Sequence, residues 1–385
     1  MVKSESKQGL ERVIISGGGT GGHIHPALAI ADEIQKRYPQ CQIEFVGALG
    51  RMEMEKIPTA GYPIHGLWIS GIDRNWRSLR NWLFPFKLIH SMVHASRLIR
   101  QLNPQIAIGV GGFASGPLLY RAAMRKIPTL IQEQNSFPGI TNRILAKRVD
   151  CICAGFPGMA RWFPGDRILE TGNPLRSSVA ALLQPANEEV IRQAKSHFGM
   201  NPDRPMVFVM GGSLGALSMN QAVQKLILDC PDGLPFDVLW QCGARYELTC
   251  KGWLQEQQHL TSGKQVRCAG FIDRMDWAYA AATVIASRAG AMSIAELALV
   301  GKPAILVPSP VVAEDHQTKN ARSLSDRGGA ILLEDSKVEE QLGSALLDLF
   351  HDHEKAQSMA KSMKEAARPN AASDVVDAIE ALILS

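Results

Sequence analysis

Two glycine turns and one histidine are the first residues in this sequence whose types and spacing point to chemistry. Gly17-Gly-Gly-Thr-Gly-Gly22 follows an apolar run that begins at Arg12, and Gly211-Gly-Ser-Leu-Gly-Ala216 follows another that begins at Met206. A strand that runs into such a turn and then a helix lets backbone approach a phosphate or a sugar closely. The helix start adds N–H groups that have no intrahelical partner. His23 comes directly after the first turn, where an imidazole can take a proton near neutral pH; a helix-capping or structural histidine is the competing reading. His25 cannot share its helical face, so the two do not make a metal pair.

The first turn formally satisfies GxGxxG, but a dinucleotide site also wants an acidic residue at the end of the second strand. Here Glu44 lies inside that strand and Gly47 follows it, which weighs against a nicotinamide or flavin enzyme. The second turn lacks the Lys-[Ser/Thr] pair of a P-loop, so ATP hydrolysis is not supported. A phosphate at the following helix start is, with the Ser213 hydroxyl beside the amides, unless Ser213 is only an N-cap. Ser287-Arg-Ala-Gly-Ala-Met-Ser-Ile-Ala-Glu296 follows a further apolar strand. A carboxylate at Glu296 can hold paired ribose hydroxyls, although Ser293 and Glu296 also spell a capping box. Glu314-Asp-His-Gln-Thr-Lys-Asn-Ala321, after the predicted strand Pro303–Pro308, is a polar loop where sugar hydroxyls could be bound. His351-Asp-His-Glu354 reads as an exposed helix face rather than a metal cluster.

These residues need elements to hold them. Arg12–Ser16, Gln42–Val46, Gln105–Val110, Thr129–Gln132 and Val149–Cys153 read as strands with helical stretches between, the βαβ signature of a parallel sheet. The series restarts at Met206–Met210 and continues through Asp237–Gln241, Gln265–Cys268, Thr283–Ala286 and Ala304–Val307. At 385 residues the chain exceeds a single core, so two doubly wound α/β domains are expected. The seven cysteines are odd in number and never spaced CxxC, which argues against a disulfide framework or zinc site and for a reducing compartment. Residues 1–11 are polar, and no apolar run is long enough to span a bilayer. A formal charge of +4 is too small to suggest nucleic acid.

One local cluster stands out. Between Trp68 and Arg100, the aromatic and apolar residues Trp76, Trp82, Leu83, Phe84 and Phe86 alternate with Arg77, Arg80 and Lys87. Aromatics mixed with cations suit an anionic lipid surface; an amphipathic segment packed within the first domain is the alternative.

Taken together, Gly18-Gly-Thr-Gly-Gly-His23 with Pro26, Glu133-Gln-Asn135, Gly172-Asn-Pro-Leu-Arg176, Gly211-Gly-Ser213, Phe271-Ile-Asp273, Arg288 to Glu296 and Asp315-His-Gln-Thr-Lys-Asn320 resemble the MurG family of peptidoglycan N-acetylglucosaminyltransferases, in order from about residue 12 to 380. The resemblance implies a GT-B fold, two Rossmann-like domains facing across a cleft. It implies inverting transfer of N-acetylglucosamine from its UDP donor to the C4 hydroxyl of undecaprenyl-diphosphate-linked N-acetylmuramyl-pentapeptide. By the same resemblance, residues 1–174 form the acceptor and membrane-associating domain, with 366–385 packing back on it, and 175–365 bind the UDP-sugar. Donor contacts fall on Thr20, Gly21, Gly22, Asn135, Arg176, Ser213, Ile272, Ala291, Met292, Ser293, Ile294, Ala295, Glu296 and Gln317. Ile272 would offer backbone to uracil, Glu296 would hold ribose, Gln317 the sugar, and Ser213 the leaving diphosphate. His23 is the candidate base. No cofactor or metal is implied, and no Asp-x-Asp motif is present. The resemblance also implies a peripheral place on the cytoplasmic face of the inner membrane, with cell-wall synthesis proteins as partners. Gln132 and His25 depart from the commonest family wording. A related GT-B enzyme acting on another lipid, and a non-catalytic nucleotide-sugar binder, remain alternatives.

Overall fold

The structure, a computed structural model, describes residues 9–71, 82–184, 186–212, 215–257, 266–312 and 315–384. The chain divides into two compact units: residues 1–176 with 370–385, and residues 177–369.

Unit 1 runs β1 (Arg12–Gly17), α1 (Gly21–Arg37), β2 (Gln42–Ala48), α2 (Glu53–Thr59), β3 (Ile64–Leu67), α3 (Phe84–Leu102), β4 (Ile106–Gly111), α4 (Ser115–Met124), β5 (Thr129–Glu133), α5 (Ile140–Leu145), β6 (Cys151–Ala154) and β7 (Ile168–Leu169). All its strands pair in parallel, in the order β3-β2-β1-β4-β5-β6-β7. Central strands such as Ile106–Gly111 are buried at every position because helices cover both faces, which is why they appear in the sequence as unbroken apolar runs. One face packs Ile24, Ile30 and Ile34 of α1; the other packs Leu98 and Ile99 of α3 with Leu118 and Leu119 of α4.

Unit 2 opens with a short helix α6 (Ser177–Ala180), then α7 (Glu188–His197), β8 (Met206–Met210), α8 (Leu217–Leu228), β9 (Asp237–Gln241), α9 (Glu247–Glu256), β10 (Val266–Ala269), α10 (Met275–Ala281), β11 (Val284–Arg288), α11 (Ala291–Val300), β12 (Ala304–Val307), α12 (His316–Ser325), β13 (Ala330–Leu332), α13 (Val338–His351) and α14 (His353–Glu365). Its sheet order, β10-β9-β8-β11-β12-β13, repeats that of unit 1 without a counterpart of β7. In both, the first strand lies beside the fourth, so the chain winds outward in two directions from that pair. This is the switch point where open α/β sheets bind ligands, and each glycine turn sits there.

The last helix, α15 (Ala371–Leu384), belongs to unit 1. Val375, Val376 and Ile379 are fully buried in the core that contains α1. Arg37 of α1 binds Asp377 at 2.5 Å, Glu380 at 3.0 Å and the Ser373 hydroxyl at 2.7 Å.

Three strands have no counterpart in the sequence reading. β3, β7 and β13 are edge strands of four, two and three residues, half-exposed and too short to show an apolar run. His351-Asp-His-Glu354 is not one helix face: α13 ends at His351, and Asp352 caps α14 by accepting from Lys355 N–H at 2.9 Å.

Candidate functional site

In unit 1 the turn after β1 is shaped by close backbone approach. A Cβ on Gly112 would lie 2.6 Å from the Gly18 carbonyl oxygen, and Gly112 and Gly19 both adopt positive φ. The end of β4 therefore presses directly on the turn, which a side chain would prevent. His23 stands in the first turn of α1, half-buried. Its ring lies against Gly111, where a Cβ would come within 2.6 Å of Cδ2. His23 Nδ1 is 2.8 Å from the Gly18 carbonyl oxygen. A carbonyl only accepts, so Nδ1 carries the proton and Nε2 of the neutral ring is left with its lone pair.

Thr20 is the N-cap of α1, and Thr20 and Gly22 are exposed while Gly21 is half-buried. The His25 ring passes beneath, 3.6 Å from where a Cβ on Gly21 would be. Burial, then the charges of Arg176 and Lys56, push the His25 imidazole down to about 4. Arg176 thus acts within reach of the glycine turn, although 151 residues separate it from His25.

Asn135 sits on a loop organised by the buried Glu133. One oxygen of Glu133 accepts from Asn135 N–H at 3.0 Å; the other accepts from Gly139 N–H at 3.1 Å and Asn142 Nδ2 at 2.8 Å. Gln134 is tied to the Val110 carbonyl at 2.8 Å, which anchors this loop to β4. Gln132 donates to Asn173, and Asn173 donates back to the Gln134 carbonyl, each at 3.0 Å.

In unit 2, α11 starts immediately beyond β11, with Gly290 as its N-cap. Ser293 is therefore the third residue of the helix rather than its cap, and the capping-box alternative does not hold. The first turn of α11 contains Ala291, Met292 and Ser293 and no acidic residue, so the helix offers an uncompensated positive end to an anion. Ile294 is buried, Ala295 half-buried, and Glu296 buried, with Oε2 accepting from Tyr279 Oη at 2.8 Å. Ile272 is buried in the loop between β10 and α10. Gln317 lies in the first turn of α12, with its carbonyl oxygen accepting from Ser309 N–H at 2.9 Å. Its amide NH2 is what the side chain can offer a sugar hydroxyl. Arg288 bonds Asp335 at 2.5 Å, the Ser218 hydroxyl at 3.0 Å, and the carbonyls of Val307 and Pro308, so it ties the ends of β11 and β12 to α8.

Ser213 lies outside the described residues, as do Trp76, Arg77 and Arg80. Of the aromatic and basic segment, Trp82 is 75% and Phe86 68% exposed, and Leu83 is exposed too. Phe84 is half-buried at the start of α3, and Lys87 reaches the Ser70 hydroxyl at 3.0 Å while lying over the Trp68 ring. Exposed Ile89 and Val93 continue the Phe86 stripe at helical spacing. Among the described residues no helix is long and apolar enough to cross a membrane.

Sequence spacing did not reveal two features. Cys242, Cys250 and Cys268 bring their sulfurs within 4.8 Å of one another. Burial pushes the Cys250 thiol up to about 12 and raises that of Cys268. The second is Glu53, almost fully buried beneath the unit 1 turn. Its Oε2 accepts from Gly19 N–H at 2.7 Å and its Oε1 from Ala48 N–H at 3.0 Å. A carboxylate filling the underside of that turn opposes a dinucleotide phosphate there.

The glycosyltransferase family 28 N-terminal domain matches residues 13–154, and the family 28 C-terminal domain matches residues 206–375. The chain is 46% identical to the UDP-N-acetylglucosamine–N-acetylmuramyl-(pentapeptide) pyrophosphoryl-undecaprenol N-acetylglucosamine transferase of Christiangramia forsetii, covering 98% of this chain and 99% of the relative. It is 46% identical to the protein of the same name from Cytophaga hutchinsonii, covering 97% of each. Among solved structures, Acinetobacter baumannii MurG superposes with a TM-score of 0.74 at 29% identity, over 96% of this chain and 99% of that one. UDP-GlcNAc 2-epimerase from Neisseria meningitidis, at 13% identity and a TM-score of 0.66, shares the fold alone. The fold is GT-B, and the chain belongs to glycosyltransferase family 28, within the group of the MurG N-acetylglucosamine transferases.

Proposed function

We propose that this chain transfers N-acetylglucosamine from UDP-N-acetylglucosamine to the C4 hydroxyl of undecaprenyl-diphosphate-linked N-acetylmuramyl-pentapeptide, with inversion at the anomeric carbon. Family membership supports the donor and acceptor classes. The chemical reading is carried by His23, whose Nδ1 is engaged by the Gly18 carbonyl so that Nε2 is the atom left to accept a proton. As the acceptor oxygen attacks C1 of the sugar, Nε2 takes the hydroxyl proton. The C1–O bond to UDP breaks, and its electron pair leaves on the diphosphate.

On the donor side, the positive end of α11, together with Ser213, stabilises the charge that grows on the leaving diphosphate. Glu296 accepts from the ribose hydroxyls with its orientation fixed by Tyr279. The backbone of Ile272 reads uracil, and the amide NH2 of Gln317 binds a sugar hydroxyl. Thr20, Gly21, Gly22, Asn135 and Arg176 complete the donor contacts from unit 1.

Unit 1 also carries the membrane role in this reading. The exposed stripe of Trp82, Phe86, Ile89 and Val93 supports peripheral attachment to an anionic surface, on the cytoplasmic face where UDP-sugars are available.

The test is transfer of radiolabelled N-acetylglucosamine to a short-chain analogue of the lipid-linked muramyl-pentapeptide, with a His23→Ala variant alongside. Product from the unmodified enzyme, and its loss in a folded variant that still binds UDP, is the expected result. UDP binding without product would move the acceptor to another lipid.

A further inference from the structure

Gly18 C=O and Gly19 N–H are the two ends of a single peptide group, and each is claimed by a different side chain. The buried Glu53 carboxylate accepts from Gly19 N–H at 2.7 Å, and Gly18 C=O accepts from His23 Nδ1 at 2.8 Å. From these contacts we propose that Glu53 is a positioning residue for the transfer, acting on His23 through the Gly18–Gly19 peptide. The proposal rests on the reading of His23 as the base.

A hydrogen bond to a peptide N–H polarises the amide and strengthens its carbonyl as an acceptor, so the two bonds reinforce each other. The strengthened carbonyl holds the proton on Nδ1, which keeps the Nε2 lone pair available. The carboxylate also fixes the turn mechanically. Gly19 has φ of +86°, and a Cβ on Gly18 would lie 2.2 Å from Glu53 Cδ, so turn and carboxylate fit only in this arrangement. The second Glu53 oxygen is anchored by Ala48 N–H at the end of β2, which ties the orientation to the sheet rather than to the mobile end of a side chain. The arrangement does what a carboxylate does when bonded directly to a catalytic histidine, with a peptide group inserted between them.

Glu53→Gln probes this with little change of shape. A Gln carbonyl oxygen can satisfy only one of the two N–H groups, and its NH2 must face the other donor. The first measurement is long-range 1H–15N correlation on 15N-histidine-labelled enzyme at alkaline pH, with the His23 signals assigned by their absence in His23→Gln. The unmodified enzyme should show His23 protonated on Nδ1. Glu53→Gln should shift it toward the Nε2-protonated form and lower kcat on the order of 10–100-fold, with KM for UDP-N-acetylglucosamine little changed.

A proton on Nε2 in the unmodified enzyme would overturn the proposal, even if Glu53→Gln failed to fold. So would a folded Glu53→Gln with unchanged tautomer and kcat. A His23→Ala variant with full turnover would overturn the base assignment and this proposal together. The two failures are distinguishable, because one is read from the tautomer and the other from turnover.

Discussion

The two glycine turns start from the same design and end in different surroundings. Both follow the first strand of a parallel sheet, and the six strands of the unit 2 sheet take the order of the first six in unit 1. In unit 1 a buried carboxylate takes the Gly19 N–H, and the residue that follows the turn is an imidazole. In unit 2 the turn packs against carbonyls: Gly211 N–H donates to Gln241, and a Cβ on Gly215 would meet the Cys242 carbonyl oxygen at 2.3 Å. Close by in that sheet, α11 begins without an acidic residue in its first turn. Duplicated backbone geometry therefore does not carry duplicated function. In the proposed reading, the unit 1 turn presents a base and the unit 2 side receives an anion.

The largest expected effect is at His23. His23→Ala should lower kcat by about 10²–10⁴-fold while UDP affinity stays within a few-fold, measured by steady-state kinetics and calorimetry. Gly111→Ala should reproduce much of that loss, because its Cβ displaces the imidazole. Equal loss of UDP binding in either variant would mean that the units do not divide the labour in this way.

Acid should act on unit 1 through His25. Its folded-state affinity for protons is depressed to about 4 from an ordinary 6.5, chiefly by burial. The unfolded chain therefore binds the proton first. The stability from the neutral ring is fully present above about pH 6.5 and is lost as pH falls toward 4, amounting to at most about 3 kcal/mol, less whatever solvent screens a half-buried ring. Melting temperature against pH should fall less steeply in His25→Phe than in the unmodified enzyme. Parallel curves would remove His25 as the cause.

Glu296→Ala tests the other half. Losing the carboxyl group that accepts from Tyr279 Oη should weaken UDP binding by roughly 10–100-fold. Tyr279→Phe should cost several-fold at most. The smallest effect on chemistry belongs to the α3 stripe: Phe86→Ser with Ile89→Ser should reduce binding to anionic vesicles on the order of tenfold while turnover of a soluble acceptor is unchanged. Unchanged vesicle sedimentation would detach that stripe from any membrane role.

What was legible in the sequence follows from which forces are local. Interior strands such as Met206–Met210 and Ala304–Val307 are buried on both faces and stand out as apolar runs, whereas the edge strands β3, β7 and β13 do not. The glycine turns and His23 were visible because close backbone approach restricts residue type. Glu53 was not, since both its partners are backbone N–H groups, one of them 34 residues earlier, and a backbone donor leaves no mark on composition. Tyr279 was missed for a similar reason: its bond to Glu296 joins α10 to α11 across the loop and strand between them. Ser293 and Glu296 show the converse, a cap-like spacing displaced because Gly290 takes the cap position.

The docking of α15 on α1 has a consequence for biosynthesis. Residues 177–369 are inserted in the sequence of unit 1, and Val375, Val376 and Ile379, fully buried in the unit 1 core, are translated only after that insertion. The unit that leaves the ribosome first is therefore completed last. While unit 2 is being made, unit 1 waits with the α15-binding surface of α1 uncovered. A nonsense mutation near the C-terminus should leave unit 2 folded and expose the nascent unit 1 to proteases.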